Sequence, residues 1–361
     1  MEVADRAGRL AAMLGEAEVD ALLVTNLTNI GYLTGFTGSA ALLLVTPGGL
    51  TFVTDGRYGQ QATEQLAAAG VEAVIEVDNL KQREIVTAAV AAGRVARLGL
   101  EAQAVTWAAQ RTYDETWFPD IELVATTNLV EGLRLVKDDG EIDRIGAACA
   151  IADAALAAVR PRLAERPTEI ELGLELDSAM RHLGAQDVSF ETIVASGPNG
   201  ALPHHRPARR TIVEGDLVVI DFGALVDGYH SDMTRTVMVG EPTATQALMY
   251  EVVVEAQAAG VAAVAAGVEA KDVDEACRAV IEDAGWGEAF LHSTGHGVGL
   301  DIHEDPRVAR TSTATLVDRC VVTVEPGVYL PEHGGVRIED TVVVTPDGCR
   351  PITLTHKSAA V

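Results

Sequence analysis

The sequence predicts two domains of different class, an α/β domain over residues 1–128 followed by an α+β domain over residues 129–361. Three observations lead there. Apolar strand-like runs alternate with helical patterns through about residue 100. All nine histidines lie from His182 onward, which puts any imidazole-dependent chemistry in the second domain. That second domain also repeats one device, an apolar strand, a turn and a return strand with a carboxylate on each arm. A length of 361 residues accommodates two cores, and 48% hydrophobic content with a mean hydropathy of +0.17 excludes a disordered chain.

Taken in order, the first domain opens with an amphipathic helix to about Leu14, closed by Gly15, and a strand through Ala21-Leu22-Leu23-Val24. ALLLVT and LTFVTD read as strands around the turn Pro47-Gly48-Gly49. A helix over 58–69 ends at Gly70, and a strand over 71–77, a helix over 83–92 and a strand over 95–100 extend the alternation. A polar hinge is expected at Leu129-Val130-Glu131-Gly132. Beyond it, Lys137-Asp138-Asp139-Gly140-Glu141 starts a long Ala-rich helix to about Val159. Thr168 and Glu171 form a capping box for a helix ending near Gly184. VSFETIVAS is a strand, and the Gly/Pro/Asn loop after it delivers His204 and His205. Helices are expected over 246–266 and 271–284.

Charge and cysteine usage exclude whole classes of function. A formal charge of −26 argues against nucleic acid and against an anionic membrane surface as partners. Cys149, Cys277, Cys320 and Cys349 show no CxxC spacing, so neither a disulfide framework nor a zinc knuckle is indicated, and a reducing, cytoplasmic compartment is expected. Residues 1–20 lack the apolar core of a signal peptide, and no run of eighteen uncharged apolar residues occurs. Neither secretion nor a membrane span is expected.

The chemistry concentrates in four stretches. In LVVIDFGALVDGYHSDMTRT, Asp221 ends an apolar strand, Gly228 lies near the bend, and Asp232 returns on a neighbouring strand. Side chains alternate along a strand, so Asp232 shares its face with Thr234. VVTVEPGVYL places Glu325 at the end of another apolar strand, and GGVRIEDTVVVT places Glu339 on the strand that follows a Gly-rich turn. Between them, HSTGHGVGLDIHEDP supplies His292, His296 and His303. Buried carboxylates brought together need a shared proton, an arginine or a metal ion. Four of them carry about −4, which two divalent cations neutralise; left unpaired, each contact near 4 Å costs ~1 kcal/mol even in water-like dielectric. A phosphate-loop reading of Gly295-His296-Gly297-Val298-Gly299 lacks both the preceding strand and the following lysine.

These residues resemble the Xaa-Pro peptidases of the pita-bread metallopeptidase family, prolidase and aminopeptidase P. The resemblance spans essentially the whole chain. It is carried by DFGALVDGYHSDMTRT, STGHGVGLDIHEDP, VEPGVY and GGVRIED, and in the first domain by YLTGFTGS and TDGRYGQQA, which look like the creatinase-type N-terminal domain. Ser293 departs from the glycine common after the first histidine. The resemblance implies a pita-bread (creatinase/aminopeptidase-like) catalytic domain that removes the residue before proline from a small peptide, using two divalent ions per subunit. Asp221 would chelate one ion, Asp232 and Glu339 would bridge both, and His296 and Glu325 would complete the second. An oxygen-rich set with one imidazole suits Mn²⁺, with Co²⁺ or Zn²⁺ as alternatives.

Further roles follow from the same likeness. Glu325 is the expected proton acceptor and His303 the partner of the scissile carbonyl or the intermediate. His204 and His292 are expected at the substrate, and Arg337 at a substrate or ligand-orienting position. Arg307 is the candidate clamp for the free carboxylate of a dipeptide, which favours prolidase over aminopeptidase P. Arg57 of a partner subunit is the alternative clamp, since a homodimer is expected in which one subunit's N-terminal domain covers its neighbour's site. His205, His230, His333 and His356 stay unassigned, because loop histidines are usually only solvated. A reading from another class, an inactive pita-bread peptide-binding module, is disfavoured because such modules lose ligands and this chain keeps all five.

Overall fold

The computed structural model describes residues 2–360, in two compact units that divide between Arg134 and Leu135. The first unit is built on a six-stranded mixed sheet. In spatial order its strands are Val74–Val77, Gly49–Thr54, Ala41–Thr46, Ala21–Val24, Arg97–Glu101 and Glu122–Thr126. Ala21–Val24 is buried along its whole length, as an inner strand covered on both faces must be. Residues such as Leu23, Val53, Val86, Val90 and Leu98 pack into one core there.

Several details of this unit differ from the expectation, each for a local reason. The strand expected from Val71 starts only at Val74, because the Val71 N–H closes the preceding helix by donating to Leu66 O at 2.9 Å. Leu27–Thr34, not expected as a helix, is capped by the Asn26 side chain and stopped by Gly35 at φ +75°. The expected hinge is itself a helix, Leu129–Arg134. It belongs to the first unit, since Arg134 donates to Asn29 Oδ1 at 2.8 Å and Tyr32 to the Leu133 carbonyl at 2.9 Å. The unit therefore extends past residue 128, to 134.

The second unit consists of two similar halves. In the first, the helices Asp139–Val159 and Glu169–His182 both begin in capping boxes, Asp138 with Glu141 and Thr168 with Glu171. They pack through Leu156, Leu172 and Leu176 onto a three-stranded sheet with Leu217–Phe222 at its centre, between Ile193–Ser196 and Met233–Met238. In the second half, the helices Ala244–Ala263 and Ala270–Asp283 cover a five-stranded antiparallel sheet. Its spatial order is Glu304–Val308, Gly295–Gly297, Val321–Val324, Asp340–Thr345 and Gly348–Pro351. A two-stranded ribbon, Gly327–Leu330 with Gly334–Arg337, is inserted in the chain between the third and fourth of these strands, Val321–Val324 and Asp340–Thr345. Arg235, 1% exposed, ties the halves together by pairing with Asp340 at 2.9 Å. Among the described residues no helix is long and apolar enough to cross a membrane.

Candidate metal centre

The two halves bring their carboxylates to one place. Asp221 sits inside its strand opposite Thr234, and Asp232 lies just before Met233–Met238, so all three share one face of the pair. Glu339 occupies the break between Gly334–Arg337 and Asp340–Thr345, where its N–H donates to Thr234 O at 3.1 Å. Asp221, Asp232 and Glu339 each offer an oxygen within 4.8 Å of the others. His296 Nε2 is 3.4 Å from Asp232 and 3.6 Å from Glu325, which follows Val321–Val324 directly.

His296 is flanked by Gly295 and Gly297 because its strand is wedged between two others. A Cβ at Gly295 would fall 2.0 Å from Thr323 O, and one at Gly297 would fall 2.2 Å from Asp305 O. The imidazole is oriented as well as placed. His296 Nδ1 donates to Gly297 O at 2.9 Å, which leaves Nε2 as the ring atom facing the carboxylates.

Electrostatics describe a centre short of positive charge. Burial pushes Asp232 up to about 6 and Glu325 up to about 7. Burial and then Asp232 hold Glu339 well above the usual carboxylate range. His296 is lowered by burial, yet Asp232 and Glu325 carry it up to about 9. Asp221 Oδ1 and Glu339 Oε1 are buried without a hydrogen-bond partner. Orphaned buried oxygens beside proton-retaining carboxylates, with one oriented imidazole, are what a donor set for hard or borderline divalent cations requires.

Side chains around this group hold it across the two halves. Arg337, 3% exposed, donates to Asp221 Oδ2 at 2.6 Å, to Thr234 Oγ1 at 3.1 Å, to the Tyr329 hydroxyl at 2.7 Å and to Pro203 O at 3.3 Å. Of the two positions expected for it, these donors put Arg337 at the ligand-orienting one, holding Asp221. Thr234 in turn donates to Glu339 Oε2 at 2.8 Å. His292 is also committed at both ring nitrogens, Nδ1 to Ser293 O and Nε2 to the Tyr329 hydroxyl, each at 2.8 Å. Burial, then Arg337, lowers it to about 3, so it stays neutral and has no free nitrogen for proton transfer. Tyr329 was not anticipated. Its only signal in the sequence is an aromatic hydroxyl in the apolar strand just after Glu325.

The remaining expected residues lie at the rim. The His303 ring is 4.4 Å from that of His296, and burial followed by the His296 charge lowers its pKa. His204 is exposed, close enough to His292 and His303 for its charge to lower both. Arg307 is exposed on Glu304–Val308. Continuing the register from Gly295↔Val308 brings position 307 opposite His296, although the pairing slips between Gly295 and Gly297. His205 is not the solvated loop residue expected, because its Nε2 lies 3.0 Å from the buried Glu169. His230 Nδ1 likewise pairs with the Ser189 hydroxyl at 2.8 Å.

Two carboxylate-bearing strand units closed around an oxygen-rich centre define a pita-bread metallohydrolase. The chain belongs to metallopeptidase family M24, which matches residues 143–346, and residues 6–136 match the creatinase/prolidase N-terminal domain. Among solved structures, an Xaa-Pro dipeptidase from Bacillus anthracis superposes with a TM-score of 0.94 at 40% identity, covering 99% of both chains. An X-Pro aminopeptidase from Thermotoga maritima gives 0.89 at 34%, covering 99% of this chain and 100% of that one. An Xaa-Pro dipeptidase of Pyrococcus horikoshii is 34% identical over 98% of each chain.

Proposed function

We propose that the protein is a metal-dependent Xaa-Pro dipeptidase carrying two divalent ions, Mn²⁺ in the first instance, held by Asp221, Asp232, His296, Glu325 and Glu339. The observation that carries this reading is the convergence of those five side chains on one centre with two buried oxygens unpartnered. Bound there, the cations would supply Lewis acidity toward the scissile carbonyl and lower the pKa of a bound water. The protein's own part is positional and protonic. Glu325, 3.6 Å from His296 Nε2 at this centre, is suited to accept a proton and pass it to the departing prolyl nitrogen. His303, its pKa lowered by burial and by the His296 charge, is suited to donate to the carbonyl oxygen as charge develops there. Arg337 keeps Asp221 in place throughout. We further propose a cytoplasmic protein and a homodimer, the latter tested by light scattering.

Preference for dipeptides over longer peptides rests on Arg307. A free carboxylate at the prolyl end needs a cationic partner, and an exposed guanidinium on the strand beside that of His296, with no bond to any other described residue, is suited to that. The two relatives named as Xaa-Pro dipeptidases favour the same choice. The experiment compares kcat/KM on an Xaa-Pro dipeptide with the same sequence extended by two residues. Wild type should prefer the dipeptide, and Arg307→Ala should lose about 10-fold on the dipeptide alone, the loss expected for about 1.4 kcal/mol of charge-assisted binding. Equal or faster cleavage of the longer peptide, with Arg307→Ala silent, would replace this reading with aminopeptidase P.

A further inference from the structure

We propose that Glu169 and His205 are positioning residues of the reaction, a latch that fixes the loop presenting His204. Glu169 is fully buried in the first turn of Glu169–His182. Its carboxylate accepts from Ser196 N at 2.8 Å, Ser196 Oγ at 2.7 Å, Asn199 Nδ2 at 3.0 and 3.1 Å, His205 Nε2 at 3.0 Å and Ala208 N at 2.9 Å. Every one of these donors lies between residues 196 and 208. Burial alone would raise Glu169, yet the bonds from Ser196, Asn199 and Ala208 lower it, so the carboxylate stays charged and keeps accepting.

A helix-capping role accounts for less than this. The helix already has its capping box in Thr168 and Glu171, so Glu169 is free to act on the loop. The loop is also tied to the metal centre, through the bond from Arg337 to Pro203 O. It is pressed against the ribbon as well: a Cβ at Gly335 would fall 1.9 Å from Gly200 O. His204, one residue from His205 at one end and from Pro203 at the other, is exposed while both its neighbours are fastened. The latch thus sets where an otherwise free imidazole points.

The inference rests on the reading that His204 meets the substrate, and the test separates the two. His205→Phe keeps a ring but removes the donor. With the metal-loaded enzyme and an Xaa-Pro dipeptide it should lower kcat/KM about 10-fold with metal content unchanged, at the lower end of what losing such a supporting contact costs. His205→Gln, which restores an N–H, should recover most of that. In a His204→Ala background His205→Phe should cost nothing more, because its effect passes through His204. Amide exchange followed by mass spectrometry should rise across residues 197–208. Full activity in His205→Phe, an equal loss without His204, or unaltered exchange over 197–208 overturns the latch. A silent His204→Ala sinks instead the substrate role of His204, and with it the route proposed here. Should His205→Phe not fold, Asn199→Ala removes two contacts to Glu169 and should act in the same direction with the same dependence on His204.

Discussion

The two carboxylate-bearing units of the catalytic half are built to one plan and wired differently. In the first, Leu217–Phe222 and Met233–Met238 pair without interruption, and Asp221 is part of the ladder. In the second, Val321–Val324 and Asp340–Thr345 also pair, but the inserted ribbon leaves Glu325 and Glu339 just outside the strands. Each unit reaches across to hold one carboxylate of the other. Asp221 is held by Arg337 of the second unit, and Glu339 by Thr234 of the first. Likeness of plan thus hides a reciprocal dependence, in which each unit supplies the other's hydrogen-bond donor.

Breaking the ligand proposed to be shared by both ions should have the largest effect. Asp232→Ala is expected to reduce turnover by at least about 100-fold and to lower bound metal, since a carboxylate between the other ligands has no neighbour to replace it. Near wild-type activity with full metal content would refute the assignment, and metal analysis with a dipeptide assay decides. Next, Arg337→Met removes the donor that crosses from the second unit to the first. A fall of about 10–100-fold in activity or metal affinity is expected, with Thr234→Val weaker and the double variant less than additive, because Arg337 also donates to Thr234. Strict additivity would show the two units to be independent.

The smallest effect is on stability, and it sharpens the comparison by titrating the junction between the units. A carboxyl raised in the folded state keeps a proton that the unfolded chain has lost. The stability from Glu325 is therefore fully present below about pH 4.5 and lost as pH rises through about 7. His296 acts in the same direction, its contribution present below 6.5 and lost through about 9. Metal-free protein should accordingly melt at lower temperature as pH rises from 5 to 9. Metal competes with those protons, so the gain in Tm on adding Mn²⁺ should grow over the same interval. A gain independent of pH would mean that the ions bind elsewhere.

What was legible in the sequence follows the range of the forces involved. Asp221 and Asp232 could be placed on one surface because strand periodicity is a local rule, and the Thr168/Glu171 capping box is visible within four residues. His296 is a ligand only by the family resemblance, and the reason for its two flanking glycines, the strands on either side, emerges only in the fold. The helix Leu27–Thr34 escaped notice because Asn29 and Gly31 interrupt its apolar pattern, and its start and stop lie in Asn26 and Gly35. His205 reads as a solvated loop residue because its partner, Glu169, is 36 residues away. Arg337 could be matched by motif, but its commitment to Asp221, 116 residues distant, could not be read locally.

The same separations set an order of events for the newly made chain. The bonds that define the centre span 116 residues between Asp221 and Arg337 and 105 between Thr234 and Glu339, so no short segment can chelate a cation in the final geometry. Unlike a zinc finger, whose metal drives a local collapse, this chain must complete its long-range topology first. In the ion-free fold, burial raises Glu325 and Glu339, so protons can neutralise part of the acidic interior. On the proposed ligand set, loading would exchange protons for metal in a finished scaffold, and protein refolded in chelator and supplied with Mn²⁺ afterwards should reach the activity of protein refolded with the ion present throughout.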